Sequence, residues 1–315
     1  MRIVVLAGGI GGARFLVGVR AYARQVGAEV TAVVNVGDDV IMHGLRICPD
    51  LDSVMYTLGG GADPERGWGR AGETWTVKEE LAAYGVEPTW FGLGDRDIAT
   101  HLVRTTMINA GYPLSAVTEA LCTRWQPGVR ILPATDDRME THAVVELDGG
   151  RRAIHFQEWW VRYRGELPTE RFVFVGADTA KPAPGVVEAI EAADVVLIAP
   201  SNPVVSIAPI LAVPGLREAV TGAKARVIGV SPVIGGAPVR GMADKCLAVI
   251  DVPCDAASVG RLYGARRDGG LLDGWLVDRV DSGAEIPGVT VRAVPLWMTD
   301  EAATTEMVRQ AMELA

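Results

Sequence analysis

The chain has 315 residues, of which 49% are hydrophobic, and it carries a formal net charge of −9. This length and hydrophobic fraction are typical of an enzyme-sized protein that buries a large core. The acidic balance argues against a nucleic-acid partner, because such binding relies on many Lys and Arg contacts to phosphates. We therefore expect any nucleotide ligand to be a small molecule.

The lengths of the apolar runs and the spacing of the cysteines indicate the cellular compartment. No run reaches the roughly 18 apolar residues of a membrane span, and the N-terminal segment lacks the basic and cleavage regions of a signal peptide. We expect a cytoplasmic protein with no membrane partner. The four cysteines are widely spaced and form no C-x-x-C pair, so we interpret them as reduced structural thiols: Cys48, Cys122, Cys246 and Cys254.

The first motif is a glycine turn. An apolar run from Arg2 to Ala7 leads into Gly8-Gly9-Ile10-Gly11-Gly12 and then a helix-like stretch that begins at Ala13. Glycines let a ligand approach the backbone, and a helix N-terminus favours phosphate. The spacing is not the dinucleotide fingerprint, because Arg14 stands where the third glycine belongs, and no Gly-Lys-Ser/Thr follows. The alternative is a tight turn without a ligand.

A second apolar run, Val30 to Val34, opens into the acidic loop from Asn35 to Asp39. The motif Pro49-Asp50-Leu51-Asp52 follows, and a helix is predicted from Ser53 to Leu58. Carboxylate oxygens beside phosphates are what Mg2+ requires. The alternative for each acid is a helix cap or a solvated loop. The candidate metal ligands are Asp38, Asp39, Asp50 and Asp52.

A segment rich in Gly and Trp, residues 59–75, is predicted to be an irregular loop over a site. A helix is expected from Thr76 to Tyr84, and two more over residues 98–123, after the acidic turn around Arg96. The alternative for Arg96 is an internal ion pair with its acidic neighbours. His101 is expected to be packed rather than catalytic.

The middle of the chain, residues 129–180, is interpreted as an inserted β-rich subdomain. Its predicted strands are Arg130 to Pro133, Thr141 to Leu147, Arg152 to Phe156 and Arg171 to Val175. The run from His155 to Arg164 holds two tryptophans and two arginines, which suit either a cleft for a flat or acidic substrate or the core and rim of this subdomain.

Two further buried strands, Asp194 to Ala199 and Arg226 to Val230, end in the loops Pro200-Ser201-Asn202-Pro203 and Ser231 to Gly236. Four strand-end loops then meet at one edge of the sheet if the crossovers are right-handed. The predicted fold is α/β: one domain over 1–315, with a Rossmann-like doubly wound, mostly parallel sheet, helices on both faces and the β-rich insertion. No nucleophile triad stands out, so direct displacement is preferred.

These motifs together resemble the 2-phospho-L-lactate transferase family of coenzyme F-420 biosynthesis, nearly from end to end. The resemblance rests on Ala7 to Leu16, Asn35 to Asp39, Pro49 to Asp52, Leu93 to His101, His155 to Trp160, Pro200 to Pro203 and Ser231 to Gly235. Residues 59–69 and Arg162-Tyr163-Arg164 resemble the actinobacterial branch, which implies a phosphoenolpyruvate-type donor.

The resemblance implies transfer from enolpyruvyl-diphospho-guanosine, or its lactyl counterpart, to the ribityl hydroxyl of the deazaflavin FO, with GMP leaving. It implies Mg2+ as cofactor and a homodimer. Asp52, Asp39 and Arg96 are the implied catalytic residues, and Asp52 and Arg96 also contact FO. The implied donor-binding residues are Gly8, Gly9, Gly11, Gly12, Asn35, Ser201, Asn202, Ser231 and Gly235.

Two other functions remain open from the sequence. One is a non-catalytic regulator that binds a nucleotide or nucleotide-sugar on the same fold. The other is a sugar-nucleotide or nucleotidyl transferase, which would prefer a nucleoside triphosphate and release pyrophosphate. For the transferase hypothesis, Asp52→Asn is predicted to reduce turnover greatly while leaving the fold intact.

Overall fold

A computed structural model describes residues 1–315. Its strands are β1 Arg2–Ala7, β2 Glu29–Val34, β3 Val40–Met42, β4 Leu45–Ile47, β5 Arg130–Pro133, β6 Glu140–Leu147, β7 Gly150–His155, β8 Thr169–Val175, β9 Val195–Ile198, β10 Arg226–Val230, β11 Val233–Ile234, β12 Ala237–Pro238, β13 Gly274–Val277 and β14 Thr290–Ala293. Its helices are α1 Gly9–Val26, α2 Pro49–Leu58, α3 Thr76–Ala83, α4 Asp95–Asn109, α5 Leu114–Trp125, α6 Val186–Glu191, α7 Ala208–Ala212, α8 Leu216–Gly222, α9 Ala243–Val249, α10 Ala256–Tyr263 and α11 Glu301–Met312.

Seven strands form the main sheet in the order β14-β13-β10-β9-β1-β2-β5, and every neighbouring pair is parallel. From β1 the chain first moves outward through β2 to β5, and later returns to β9 on the other side of β1. The strand order therefore reverses between β1 and β9, which is where ligands bind in open α/β sheets. Helices flank the sheet, so the predicted α/β fold class is confirmed.

A second, antiparallel sheet of order β7-β6-β8 lies within the predicted β-rich portion. The strand predicted over Arg130–Pro133 is present as β5, but it pairs with β2 as the edge of the main sheet and not with the antiparallel strands. A four-residue segment carries too little pattern to show which sheet it joins, and only pairing with β2 decides it. The division of 1–315 into one domain with an insertion at 129–180 stays a prediction.

Three helices begin earlier than the sequence predicts. Helix α1 starts at Gly9 rather than Ala13, so most of the glycine turn is its first turn. Helix α2 starts at Pro49, where the fixed φ of proline suits the first helical position, and Asp50 and Asp52 favour the positive helix end. Helix α4 starts at Asp95. The acidic residues at 50–52 and 95–97 therefore lie on helix N-termini, whereas Asp38 and Asp39 lie in the loop between β2 and β3.

The core is continuous between the two sheets. One cluster of buried apolar side chains joins Val4 and Leu197 of the main sheet with Val145 and Trp159 of the antiparallel portion. Helix α1 packs against α2 and α11, and its C-terminal cap is Gly27, whose φ of +67° suits glycine. This packing holds α2, which carries two of the candidate aspartates, beside the glycine turn.

No single helix combines the length and the apolar character needed to cross a membrane. One pair of helical segments bent by 92°, Pro203–Ala212 with Leu216–Gly222, meets both criteria when the two are taken together.

Candidate active site

Four loops meet at the carboxyl edge of the main sheet, as the sequence predicts. Gly8 follows β1, Asn35 follows β2, Pro200 follows shortly after β9, and Ser231 follows β10, and these four strands are adjacent. The loops therefore border the reversal of strand order between β1 and β9.

The glycine turn is clamped to the loop after β9. The backbone N–H of Gly8 donates to Ser201 Oγ at 3.1 Å, and that hydroxyl donates to the Gly8 carbonyl at 2.7 Å. A Cβ on Gly11 would lie 2.6 Å from the Pro200 carbonyl oxygen, and one on Gly12 would lie 2.7 Å from Ser201 Oγ. The glycines thus let helix α1 approach this loop closely, whether or not a phosphate is bound.

Gly8 and Gly9 bring the same turn against an aspartate. A Cβ on Gly8 would lie 2.6 Å from Asp50 Oδ2, and Gly9 has a φ of +64°, in the left-handed region that favours glycine. The backbone N–H of Gly9 lies near the Asp50 carboxylate and partly offsets the rise in its pKa. One carboxylate therefore already lies at the N-terminus of α1, where the sequence predicts phosphate.

Asn35 connects the acidic residues. Its Nδ2 donates to Asp38 Oδ1 at 3.1 Å, to Asp50 Oδ2 at 2.9 Å and to the Val205 carbonyl at 3.2 Å, while its Oδ1 accepts from Gly37 N–H at 2.8 Å. Two carboxylate oxygens from distant positions thus share one amide nitrogen.

Three of the four aspartates are held in an environment that disfavours their charge. Burial raises the pKa of Asp39 to about 6 and the pKa of Asp50 to about 6. Burial and repulsion from Asp50 hold the pKa of Asp38 well above its usual range. Carboxylates packed together in this way gain from a bound cation, which supplies the missing positive charge.

Two arginines pair with individual aspartates. Arg46 Nη2 donates to Asp39 Oδ2 at 3.0 Å, while Asp39 Oδ1 is buried and has no hydrogen-bond partner. Arg104 engages both oxygens of Asp52, with Nη1 at 3.0 Å from Oδ2. Asp39 therefore keeps one free oxygen, and both oxygens of Asp52 are engaged by a guanidinium.

The antiparallel portion contributes two side chains to this site. His155 Nε2 lies 3.1 Å from the Asp39 carbonyl oxygen and donates to it, because His155 Nδ1 accepts from Gln157 N–H. Gln157 Nε2 is 3.4 Å from Asp38 Oδ2. Trp159 is 1% exposed and packs on Phe156, so it belongs to the core rather than to a cleft.

Arg96 lies at the first turn of α4 and its side chain is exposed. It forms no ion pair with its acidic neighbours: Asp95 accepts from the Val77 N–H, and Asp97 accepts from the Tyr56 hydroxyl. Its Nη1 is 3.5 Å from the Ala71 carbonyl oxygen, which places the guanidinium beside the irregular 59–75 segment.

The remaining residues that are predicted to bind the nucleotide donor already have hydrogen-bond partners within the chain. Asn202 Oδ1 accepts from the N–H groups of Val204 and Val205. Ser231 Oγ donates to the Val233 carbonyl, and the Gly235 N–H donates to Asp281 Oδ2 at 2.9 Å. These hydrogen bonds shape the two loops and do not by themselves indicate a ligand.

Comparison with known proteins shows the family. The sequence model of 2-phospho-L-lactate transferase CofD matches residues 3–307. The chain belongs to the 2-phospho-L-lactate transferase family. The predicted resemblance is confirmed, and family membership makes the chain one of the transferases.

Curated relatives in the family are similar over the whole chain. Proteins named phosphoenolpyruvate transferase are 68% identical in Nocardia farcinica, 63% in Mycolicibacterium smegmatis and 64% in Streptomyces coelicolor. Each match covers all of this chain and 95%, 99% and 98% of the relative, respectively. A solved Bacillus halodurans structure, described as a member of the UPF0052 family, has a TM-score of 0.63 at 18% identity and covers 99% of both chains, which shows a shared fold.

The sequence analysis of this family member missed Arg46, Arg104 and Gln157. A signal existed for Arg104, because Asp97, His101 and Arg104 have the i, i+4, i+7 spacing of one helix face. Arg46 carries no such pattern, and Gln157 lies within the His155 to Trp160 motif without being singled out as a site residue. Cys48 is fully buried, and burial raises the pKa of its thiol, so it is not a reactive thiolate.

Proposed function

We propose that the protein transfers the phosphoenolpyruvyl group of enolpyruvyl-diphospho-guanosine to FO in coenzyme F-420 biosynthesis, giving dehydro-F-420-0 and GMP. The alternative donor is the lactyl counterpart of this compound, which would give F-420-0. The observation that carries the proposal is the shared hydrogen-bond hub at Asn35, which joins the acidic loop, the N-terminus of α2 and the loop after β9 beside the glycine turn. The names of the full-length relatives support the donor class.

The acidic residues fit Mg2+. Asp39 Oδ1 is a buried carboxylate oxygen without a partner, and the pKa values of Asp38 and Asp50 are raised by burial and by neighbouring carboxylates, which a bound cation would offset. Hard oxygen donors of this kind are the preferred ligands of Mg2+. We assign Asp38, Asp39 and Asp50 as the residues that would hold it. When bound, the ion offsets charge on the diphosphate.

The chain's own residues then supply orientation and a proton acceptor. The FO hydroxyl oxygen attacks the β-phosphorus in line, the bond from that phosphorus to the bridging oxygen of GMP breaks, and GMP leaves. A carboxylate accepts the hydroxyl proton. Asp39 can serve this step only where the ion is held by Asp38 and Asp50, because Arg46 engages one oxygen of Asp39 and the other cannot both ligate the ion and bind a proton. Asp52 and the exposed Arg96 contact FO in this proposal.

The donor is proposed to lie along the glycine turn. The diphosphate is placed beside Gly8 to Gly12, near the N-terminus of α1. The guanosine is placed between the loops that hold Ser201 and Ser231. We further propose a homodimer, as the family resemblance implies, and a cytoplasmic location.

The test is a mass-spectrometric endpoint assay with purified protein, FO, Mg2+ and either donor. Conversion of FO with an equal amount of GMP supports the proposal, and the preferred donor identifies the branch. Binding of guanosine diphosphate without product supports the regulator instead. Pyrophosphate released from a nucleoside triphosphate supports a nucleotidyl transferase. A parallel reaction with excess EDTA tests the requirement for a divalent cation.

A further inference from the structure

A second layer of buried polar groups lies behind the candidate site, between α2 and α4. Its centre is Arg104, which is 1% exposed and engages both oxygens of Asp52. The same guanidinium has Nη1 3.1 Å from His101 Nδ1 and 3.4 Å from the Arg46 carbonyl oxygen. A buried charge of this kind is stable only with matched partners, and Asp52 is the only carboxylate that forms a salt bridge with it.

The layer continues to the N-terminus of α4. His101 Nε2 lies 3.4 Å from Asp97 Oδ2, and the Tyr56 hydroxyl donates to Asp97 Oδ1 at 2.6 Å. Asp97 is the chain neighbour of Arg96. The network thus joins Asp52 on α2 to the turn that carries Arg96. Asp52 and Arg96 are the two residues that we propose to contact FO.

Asp52 differs from the other three aspartates in how its negative charge is neutralised. A bidentate arginine fixes the plane of a carboxylate and balances its charge. Arg46 leaves one oxygen of Asp39 free, and Asp38 and Asp50 share only the Asn35 amide and other neutral donors. Asp52 therefore needs no metal ion for neutralisation and keeps a fixed orientation.

Resting on the proposed function, we infer that Arg104 is a positioning residue that orients Asp52 toward the acceptor FO and separates it from the metal-binding set Asp38, Asp39 and Asp50. The alternative is that Arg104 only fastens α4 to α2. A fastening role affects stability and all substrates alike, while a positioning role affects the acceptor.

The first experiment compares Arg104→Lys with a matched control, Arg20→Lys. Arg20 also holds α2, by donating to the Leu58 carbonyl, but it contacts no candidate site residue. Lysine keeps the charge and loses the paired donors. We expect Arg104→Lys to raise the KM for FO at least about tenfold and to lower kcat, since a charge-assisted contact is lost. The KM for the donor and the Mg2+ requirement should stay within about twofold, and Arg20→Lys should change none of these parameters.

The second experiment measures FO binding without turnover, by fluorescence titration of Arg104→Gln, Asp52→Asn and the double variant. If Arg104 acts through Asp52, Arg104→Gln weakens binding in the natural protein and has no further effect beside Asp52→Asn. Equal effects in both backgrounds overturn the inference, as does an unchanged KM for FO in folded Arg104→Lys. If the natural protein turns over no FO, it is the proposed function that fails.

Discussion

Gly11→Ala tests whether the close approach of α1 to the loop after β9 shapes the candidate donor site. The new Cβ would lie 2.6 Å from the Pro200 carbonyl oxygen, whereas ordinary contact begins at 3.4 Å. The obstacle is a backbone atom, so no flexible side chain can swing aside. The first turn of α1 and residues 200–201 must therefore separate by most of an ångström.

Two opposing terms set the size of the effect. Overpacking of this kind costs about 1–3 kcal/mol. Alanine gains up to about 1 kcal/mol over glycine inside a helix. We expect the free energy of unfolding to fall by about 1 kcal/mol. Since a misplacement near 1 Å can cost far more in function than in stability, the affinity for guanosine diphosphate should fall about tenfold or more.

The assay combines urea unfolding with calorimetric titration of guanosine diphosphate. Gly222→Ala is the matched control, because Gly222 is the last residue of α8 and a Cβ there meets nothing within 4 Å. The control should be as stable as the natural protein or slightly more so, with unchanged nucleotide affinity. If Gly11→Ala behaves like the control in both measurements, the close approach has no role. If stability falls but affinity does not, the loop is not part of the donor site.

Three further predictions concern the exposed Arg96, the buried Trp159 and the acidic residues. Arg96→Ala should change the free energy of unfolding by no more than about 0.5 kcal/mol, because the side chain is exposed and forms no ion pair. It should raise the KM for FO about tenfold. An unchanged KM contradicts the proposed contact between Arg96 and FO. Trp159→Ala should lower the free energy of unfolding in urea by about 3–5 kcal/mol, because the ring is 1% exposed and its Nε1 donates to Thr169 Oγ1; a loss below about 1 kcal/mol contradicts the core assignment. Burial raises the pKa of both Asp39 and Asp50 from 3.8 to about 6. At pH values between these two, the native state binds more protons than the unfolded state. The free energy of unfolding of the metal-free protein therefore falls as the pH rises through this range. Mg2+ competes with those protons, so its stabilisation in thermal melts should grow between about pH 5 and pH 7.5, and a stabilisation independent of pH speaks against these ligands.

The sequence predicted the parts of the fold that rest on continuous apolar runs. Strands β1, β2, β9 and β10 are nearly unbroken runs of buried aliphatic residues, so both their existence and the position of their end loops could be predicted. Strands β13 and β14 were not predicted. They are four residues each, and their strand conformation depends on pairing in the sheet.

The candidate site was predictable in part for the same reason. Asp38 and Asp39 follow directly from a strand end, whereas the partners that set their environment come from far along the chain. Gln157 is 119 residues from Asp38, and Arg104 is 52 residues from Asp52. No local pattern specifies such pairs, because they depend on how the antiparallel sheet and α4 pack against the main sheet.

Asp52→Asn now has a different expected outcome from the one that the sequence predicts. Because Arg104 is buried and pairs with both oxygens of Asp52, removal of the carboxylate charge leaves a buried guanidinium without its counter-ion. Breaking a buried pair on one side costs up to about 3–5 kcal/mol. The variant should therefore lose stability as well as turnover.

The two effects of Asp52→Asn are separable. Unfolding in urea gives the loss of stability, and turnover measured well below the melting temperature, at saturating Mg2+, gives the loss of function in protein that is still folded. Adding Arg104→Gln removes the unpaired charge, so the double variant should recover part of the stability. It should recover none of the turnover, because the carboxylate that we propose to contact FO is absent from both variants. Near-normal turnover of folded Asp52→Asn would remove Asp52 from the catalytic set, and an unchanged free energy of unfolding would contradict the buried pair.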